Sequence, residues 1–188
     1  MGRVIVIEFV SLDGFTSDPD GSAGTPYGGW AFRHGPEAVG GDKFRLGALL
    51  DDGVMLLGRR TWELFAKIWP GRTDDFSVRM NKMAKLVASN SLTDASAWSN
   101  STLLDGDLVE AVRAESRDVV VTGSLKVVRA LQEQDLVDEY RLLTFPSIVG
   151  GGERLFPAVE TPIHLTCVSA TQVGAAVLAK YERSAENG

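Results

Sequence analysis

Two stretches of the chain place glycine between an apolar run and a helical pattern, an arrangement that aims backbone N–H groups at an anion. Gly58-Arg59-Arg60-Thr61-Trp62-Glu63 follows Val54–Leu57, and Gly123-Ser124-Leu125 follows Asp118–Thr122. A helix N-terminus offers unpaired N–H groups and the positive end of its dipole, and two of them can bracket a pyrophosphate. Arg59 and Arg60 add guanidiniums suited to gripping phosphate oxygens, and Thr61 adds a hydroxyl. The same spacing also serves arginines that pair with carboxylates on a solvated helix face. Other familiar chemistry is missing: there is no GxGxxG after the first strand, no GxxxxGK[ST] and no HExxH. With only His34 and His164, and Cys167 as the single cysteine, neither a histidine-rich nor a cysteine-rich metal centre can be assembled, and no metal is expected.

Composition narrows the partners. The 188 residues are 44% hydrophobic and 23% charged, with a net charge of -6. That is a globular chain, expected as a single domain over residues 1–188, whose field repels phosphate polymers, so nucleic acid is an unsuitable partner. No run reaches membrane-spanning length, the N-terminus lacks the features of a secretory leader, and one cysteine makes no disulfide framework; a cytoplasmic protein is expected.

The elements that must hold these residues can be read in order. Arg3–Val10 reads as a buried strand ended by the turn Ser11-Leu12-Asp13-Gly14. Thr16–Gly41 is a long loop rich in Gly, Pro, Asp and Ser; its Tyr27, Trp30 and Phe32 could stack on a flat heterocycle or anchor the loop to the core. Apolar residues in Asp42–Leu50 predict a short amphipathic helix. Strands are expected at Val54–Leu57, Lys85–Ser89, Asp118–Thr122 and Tyr140–Phe145, and helices at Arg60–Lys67, Phe76–Met83, Leu108–Ala114 and after Leu125. Pro146–Gly152 is a glycine-rich loop, and Ile163–Thr171 and Ala175–Tyr181 read as closing strands joined near Gln172-Val173-Gly174. Alternation of strands and helices with paired strands at the end predicts an α/β fold, a mostly parallel sheet flanked by helices with antiparallel C-terminal strands.

Four segments, in order, resemble one superfamily. Leu57 to Glu63 is similar to the GRxTW segment of dihydrofolate reductases, and Val121–Leu125 to their glycine-pair turn. Ser11–Phe15 and Asp138–Pro157 resemble the SLDG turn and closing pattern of the reductase domain of riboflavin biosynthesis, the RibD C-terminal type. The resemblance implies a dihydrofolate reductase-like fold and an NADPH-dependent oxidoreductase that passes hydride to a small heterocyclic substrate, as 5-amino-6-(5-phosphoribosylamino)uracil reductase does. Dihydrofolate reduction proper and a nucleotide-binding paralogue without turnover are the alternatives. It further implies a cofactor cradle of Gly58, Arg59, Arg60, Thr61, Ser89, Asn90, Gly123, Ser124 and Leu125. Asn90 stands where many dihydrofolate reductases carry Arg, and Ser124 replaces the second glycine of the pair. Asp42 matches the substrate-side acid of dihydrofolate reductases, either donating the proton that a reduced C=N nitrogen requires or capping its helix. Asp13, Phe15 and Trp30 would line the substrate pocket, with Asp13 also able to serve only its turn. A homodimer is the expected assembly of this branch.

Overall fold

The computed structural model describes residues 1–158 and 161–184; the side chain of Asp42 lies outside that description. Its strands are β1 (Val4–Ser11), β2 (Val54–Gly58), β3 (Ala84–Ala88), β4 (Ser101–Leu103), β5 (Val119–Val121), β6 (Glu139–Phe145), β7 (Leu165–Val173) and β8 (Ala176–Arg183). Its helices are α1 (Gly35–Gly40), α2 (Leu49–Asp52), α3 (Arg59–Ile68), α4 (Asp75–Lys82), α5 (Leu108–Ala114) and α6 (Leu125–Glu133). The strands form one sheet in the order β4-β3-β2-β5-β1-β6-β8-β7. Pairing is parallel from β4 through β1 and antiparallel between β6, β8 and β7, the expected α/β arrangement.

The chain divides into two compact units. The first comprises Met1–Val6 and Leu46–Asp138. Val54, Met55, Leu56 and Leu57 of β2 and all three valines of β5 are fully buried, which is why these parallel strands read as unbroken apolar runs. Helix α3 buries Trp62, and α6 buries Val127, Val128 and Leu131. The three-residue β4 falls in a stretch that reads as polar; it forms because its backbone continues the parallel ladder of β3, with Ser101 opposite Lys85. Lys85 itself is buried within β3. Its Nζ donates to the carbonyls of Asn81 (3.1 Å), Met83 (2.7 Å) and Ser99 (3.0 Å) and lies 4.3 Å from the centre of the Trp98 ring.

The second unit comprises Ile7–Arg45 and Glu139–Gly188. Its core gathers Trp30, Ala31, Ala38, Leu143, Phe145, Ala176 and Leu178, with Phe9 and Phe44 packed against it. The helix expected over Asp42–Leu50 does not form. Gly41–Arg45 is a 3-10 turn, and helical geometry resumes only at Leu49. Lys43, Phe44 and Arg45 have φ of 47°, 58° and 50°, a left-handed backbone that costs an L-residue about 1–2 kcal/mol. Tertiary contacts offset that cost. Arg141 Nη1 donates to the carbonyls of Phe44 (3.0 Å) and Arg45 (2.7 Å), and the Phe44 ring meets Phe9 at 5.8 Å. Apolar periodicity registered the burial of Phe44 and missed the backbone that delivers it. The closing hairpin turns at the expected junction, after Val173, where Gly174 takes φ 55°.

Candidate active site

Strands β2 and β5 are parallel neighbours, so the helices that follow them start side by side. Gly58 N–H donates to Gly123 C=O at 3.1 Å, and the Gly123–Ser124 peptide is cis. A side chain at Gly58 would run into Ser124, whose Cβ lies 2.9 Å from where the new carbon would stand. Neither Gly58 nor Ser124 caps its helix through a side chain. By contrast Asp74 and Asp107 cap α4 and α5 with their carboxylates. Two adjacent helix N-termini are therefore left for an acceptor from outside the helix. Immediately before Gly123, the Thr122 hydroxyl is buried without a hydrogen-bond partner, and a buried polar atom of that kind calls for a ligand or water. These features fit the phosphate-bearing part of a nucleotide.

Arg59 and Arg60 occupy the first turn of α3, both exposed. Arg59 donates to Ser91 Oγ (2.8 Å) and stands 3.7 Å from Glu63, a surface pair worth little in stability. Ser89 is occupied as a turn former, its hydroxyl accepting from Ser91 N–H (3.2 Å) and Leu92 N–H (2.9 Å). Ser89 and Asn90 line a cleft of about 360 Å³ together with Leu104, Asp107, Lys126 and Val127, a volume at the small end of ligand pockets. Thus Gly58, Gly123, Ser124 and Leu125 meet at the paired helix starts, beside Arg59, Arg60 and Thr61, while Ser89 and Asn90 belong to the cleft.

The expected substrate residues lie in the second unit. Asp13 staples two loops: it accepts from Ser11 Oγ (2.6 Å), Val149 N–H (3.1 Å) and Gly150 N–H (2.8 Å). Against the desolvation that would raise it, these hydrogen bonds hold the Asp13 carboxyl at about 2, so it is ionised near neutrality and has no proton to donate. Phe15 is buried, and the Arg154 guanidinium covers its ring at 4.5 Å while donating to Asp13 C=O at 2.6 Å. Trp30 is also buried: its Nε1 donates to Ser17 C=O (3.0 Å) and its ring meets Phe145 edge-on at 5.7 Å. For Trp30 these contacts are of the loop-anchoring kind, one of the two roles expected for the aromatics of its loop. Asp42 falls in the Gly41–Arg45 turn, and its side chain lies outside the described residues.

Three side chains were not singled out from sequence. Lys126 in the first turn of α6 brings a cation to the cleft; its signal was available, one position beyond Gly123-Ser124-Leu125. Thr122 is conspicuous only through its burial. Glu8 lies in β1, where desolvation pushes its carboxyl up to about 8. Strand alternation puts it on the sheet face opposite Phe9, away from Phe44 and Phe145. Among the described residues no cluster of His, Cys, Asp or Glu could hold a metal ion, and no helix is long and apolar enough to cross a membrane.

Solved structures with the same fold include a protein of Shewanella sp. PV-4 named for riboflavin biosynthesis, 20% identical, with a TM-score of 0.71 over 97% of this chain and 99% of that one. A pyrimidine reductase-like protein of Corynebacterium diphtheriae is 12% identical, with a TM-score of 0.68 over 97% and 92% of the two chains. RibD of Acinetobacter baumannii is 16% identical, with a TM-score of 0.68 over 98% of this chain but 58% of its own. No curated protein matches the sequence. The family model of the RibD C-terminal domain matches residues 3–179. With that match over nearly the whole chain, and the two glycine turns side by side, the chain belongs to the RibD C-terminal domain family.

Proposed function

We propose that the protein is an NADPH-dependent reductase acting on a C=N or C=O bond of a small heterocyclic substrate, of the kind reduced in riboflavin biosynthesis. The observation that carries this reading is the pair of adjacent helix N-termini at Gly58 and Ser124, neither capped by a side chain, beside Arg59 and Arg60. Backbone N–H groups of α3 and α6 would hold the pyrophosphate, with the Thr122 and Thr61 hydroxyls as further donors. Arg59, Arg60 and Lys126 would supply the positive charge that favours a 2′-phosphate, with Ser89 and Asn90 lining the adenosine side. NADPH supplies hydride when bound; the chain's own task is to orient it and to exclude water.

Proton delivery is assigned to Asp42, directly or through a water it orients, on the family resemblance; Asp13, which its hydrogen bonds keep charged, has no proton to give. Titration with NADPH and with NADH, followed by nicotinamide fluorescence, tests the cofactor assignment. Replacing Arg59 and Arg60 together with Ala is expected to weaken NADPH by about tenfold or more and NADH far less, more steeply at low salt. Equal losses for the two would reject the arginines as readers of the 2′-phosphate. Binding of NADPH with no oxidation by pterins or riboflavin precursors would instead favour a nucleotide-binding protein without turnover.

A further inference from the structure

The second unit carries a cationic cleft that the proposed reductase chemistry does not use. It measures about 310 Å³ and is lined by Arg45, Arg141, Lys180 and Ser169 with Phe44, Val168 and Leu178. Strand register builds it: Arg141 of β6 lies opposite Lys180 of β8, and Lys180 lies opposite Ser169 of β7. One row across three strands thus presents two cations and a hydroxyl on a single face. Arg45 reaches over the same face, its Nη2 donating to Thr171 Oγ1 at 2.9 Å. A bulge between Cys167 and Ser169 adds Val168 to the wall, which is a usual effect of bulges on side-chain aim.

The cations are held in place before any ligand arrives. Glu139, fully buried at the start of β6, receives Arg141 Nε at 2.6 Å and has Lys180 Nζ 3.1 Å from its other oxygen. Arg141 Nη1 is fixed by the Phe44 and Arg45 carbonyls. Lys180 also meets Glu182 at 3.2 Å. Among the described residues, no carboxylate lines the cleft, whose wall is made of these cations, a hydroxyl and apolar groups. Arg141 is the third residue of β6, whereas the Asp13 staple closes on Val149 and Gly150 beyond the far end of that strand. The strand from Arg141 to its end at Phe145 alone spans about 13 Å. We propose that this cleft is a second ligand site, taking a small organic anion: a carboxylate or phosphate head between Arg45, Arg141 and Lys180, on a compact apolar body against Phe44, Val168 and Leu178.

Isothermal titration of the full chain with phenyl phosphate, benzoate and inorganic phosphate tests it. At least one aromatic anion is expected to bind at one site per chain, about tenfold tighter than inorganic phosphate, and Arg45→Gln is expected to weaken it by about tenfold. The comparison of phenyl phosphate with benzoate tells which head the cations prefer. Arg45 is exposed, so its replacement should leave the fold intact; Val168→Ser, also at an exposed position, is a second probe that should weaken the aromatic anions and spare inorganic phosphate. Binding that survives Arg59→Ala/Arg60→Ala supports the site. The proposal is overturned by absence of binding by either aromatic anion, by inorganic phosphate binding as tightly as both, or by binding that Arg45→Gln and Val168→Ser leave unchanged.

Discussion

Asp13 and Glu8 sit five positions apart and respond to pH in opposite ways. Hydrogen bonds from Ser11, Gly150 and Val149, working against desolvation, hold Asp13 at about 2. Its contribution to stability is therefore complete above the unfolded value near 4 and is lost as the pH falls through about 2. Asp13→Asn is expected to remove that acid limb and to cost about 1–3 kcal/mol near neutrality through weakened acceptance from the Val149 and Gly150 N–H groups; urea melts at pH 3 and pH 7 read both. Desolvation pushes Glu8 up to about 8, so the folded state keeps a proton that the unfolded chain releases near 4.5. Stability then declines as the pH rises from about 4.5 to 8. Glu8→Gln should flatten that decline, and a variant that melts in parallel with the parent from pH 5 to pH 9 would refute the burial argument. Neither behaviour is legible from residue type. The sequence shows an acid in a turn and an acid in an apolar run; the sign of the first shift comes from Ser11 together with backbone N–H groups more than a hundred positions away, and that of the second from the faces packed around a strand.

At the scale of elements, the parallel strands and the helices after Gly58 and Gly123 were readable because local pattern and tertiary role agree there. Fully buried parallel strands must be apolar throughout, and the amphipathic helices behind them need one apolar stripe each. The Asp42–Leu50 segment escaped the same logic. Leu46 and Leu50 are buried and Phe44 half-buried, but Arg141 binds the carbonyls of a left-handed turn and overrides helix periodicity. The contact between the two glycine turns leads to a sharp expectation. Gly58→Ala would force its new carbon against Ser124, shifting the helix starts apart, and should weaken nicotinamide dinucleotide binding by about a hundredfold, with a stability loss of about 1–3 kcal/mol. Unchanged affinity by fluorescence titration would show that the two turns do not share a ligand. In β3, Lys85→Met keeps the length of the side chain while leaving the carbonyls of Asn81, Met83 and Ser99 without their donor. A loss of about 2–4 kcal/mol in chemical denaturation is expected; a neutral substitution would mean that water takes over all three.

For the molecule as a whole, family membership was accessible from four short segments, each at a strand end or a return loop, and the mostly parallel sheet with antiparallel C-terminal strands from the alternation of strands and helices. The division of side chains between site and core was not. Phe15 and Trp30 share composition with stacking residues, yet Arg154 covers one and Phe145 meets the edge of the other. A ligand that binds only the folded chain stabilises all of it: NADPH at about a hundredfold above its dissociation constant should contribute about 2.7 kcal/mol, raising Tm by about 5–10 °C in a chain of this size. No shift with NADPH, at a concentration where its fluorescence reports binding, would mean that the binding does not favour the native state. The bulge in β7 has a practical bearing as well. Cys167, the single thiol in the sequence, is exposed immediately before Val168. A maleimide dye would therefore attach at one point per chain without any mutagenesis, next to the wall of the cationic cleft, and its emission would follow occupancy there separately from the nicotinamide signal.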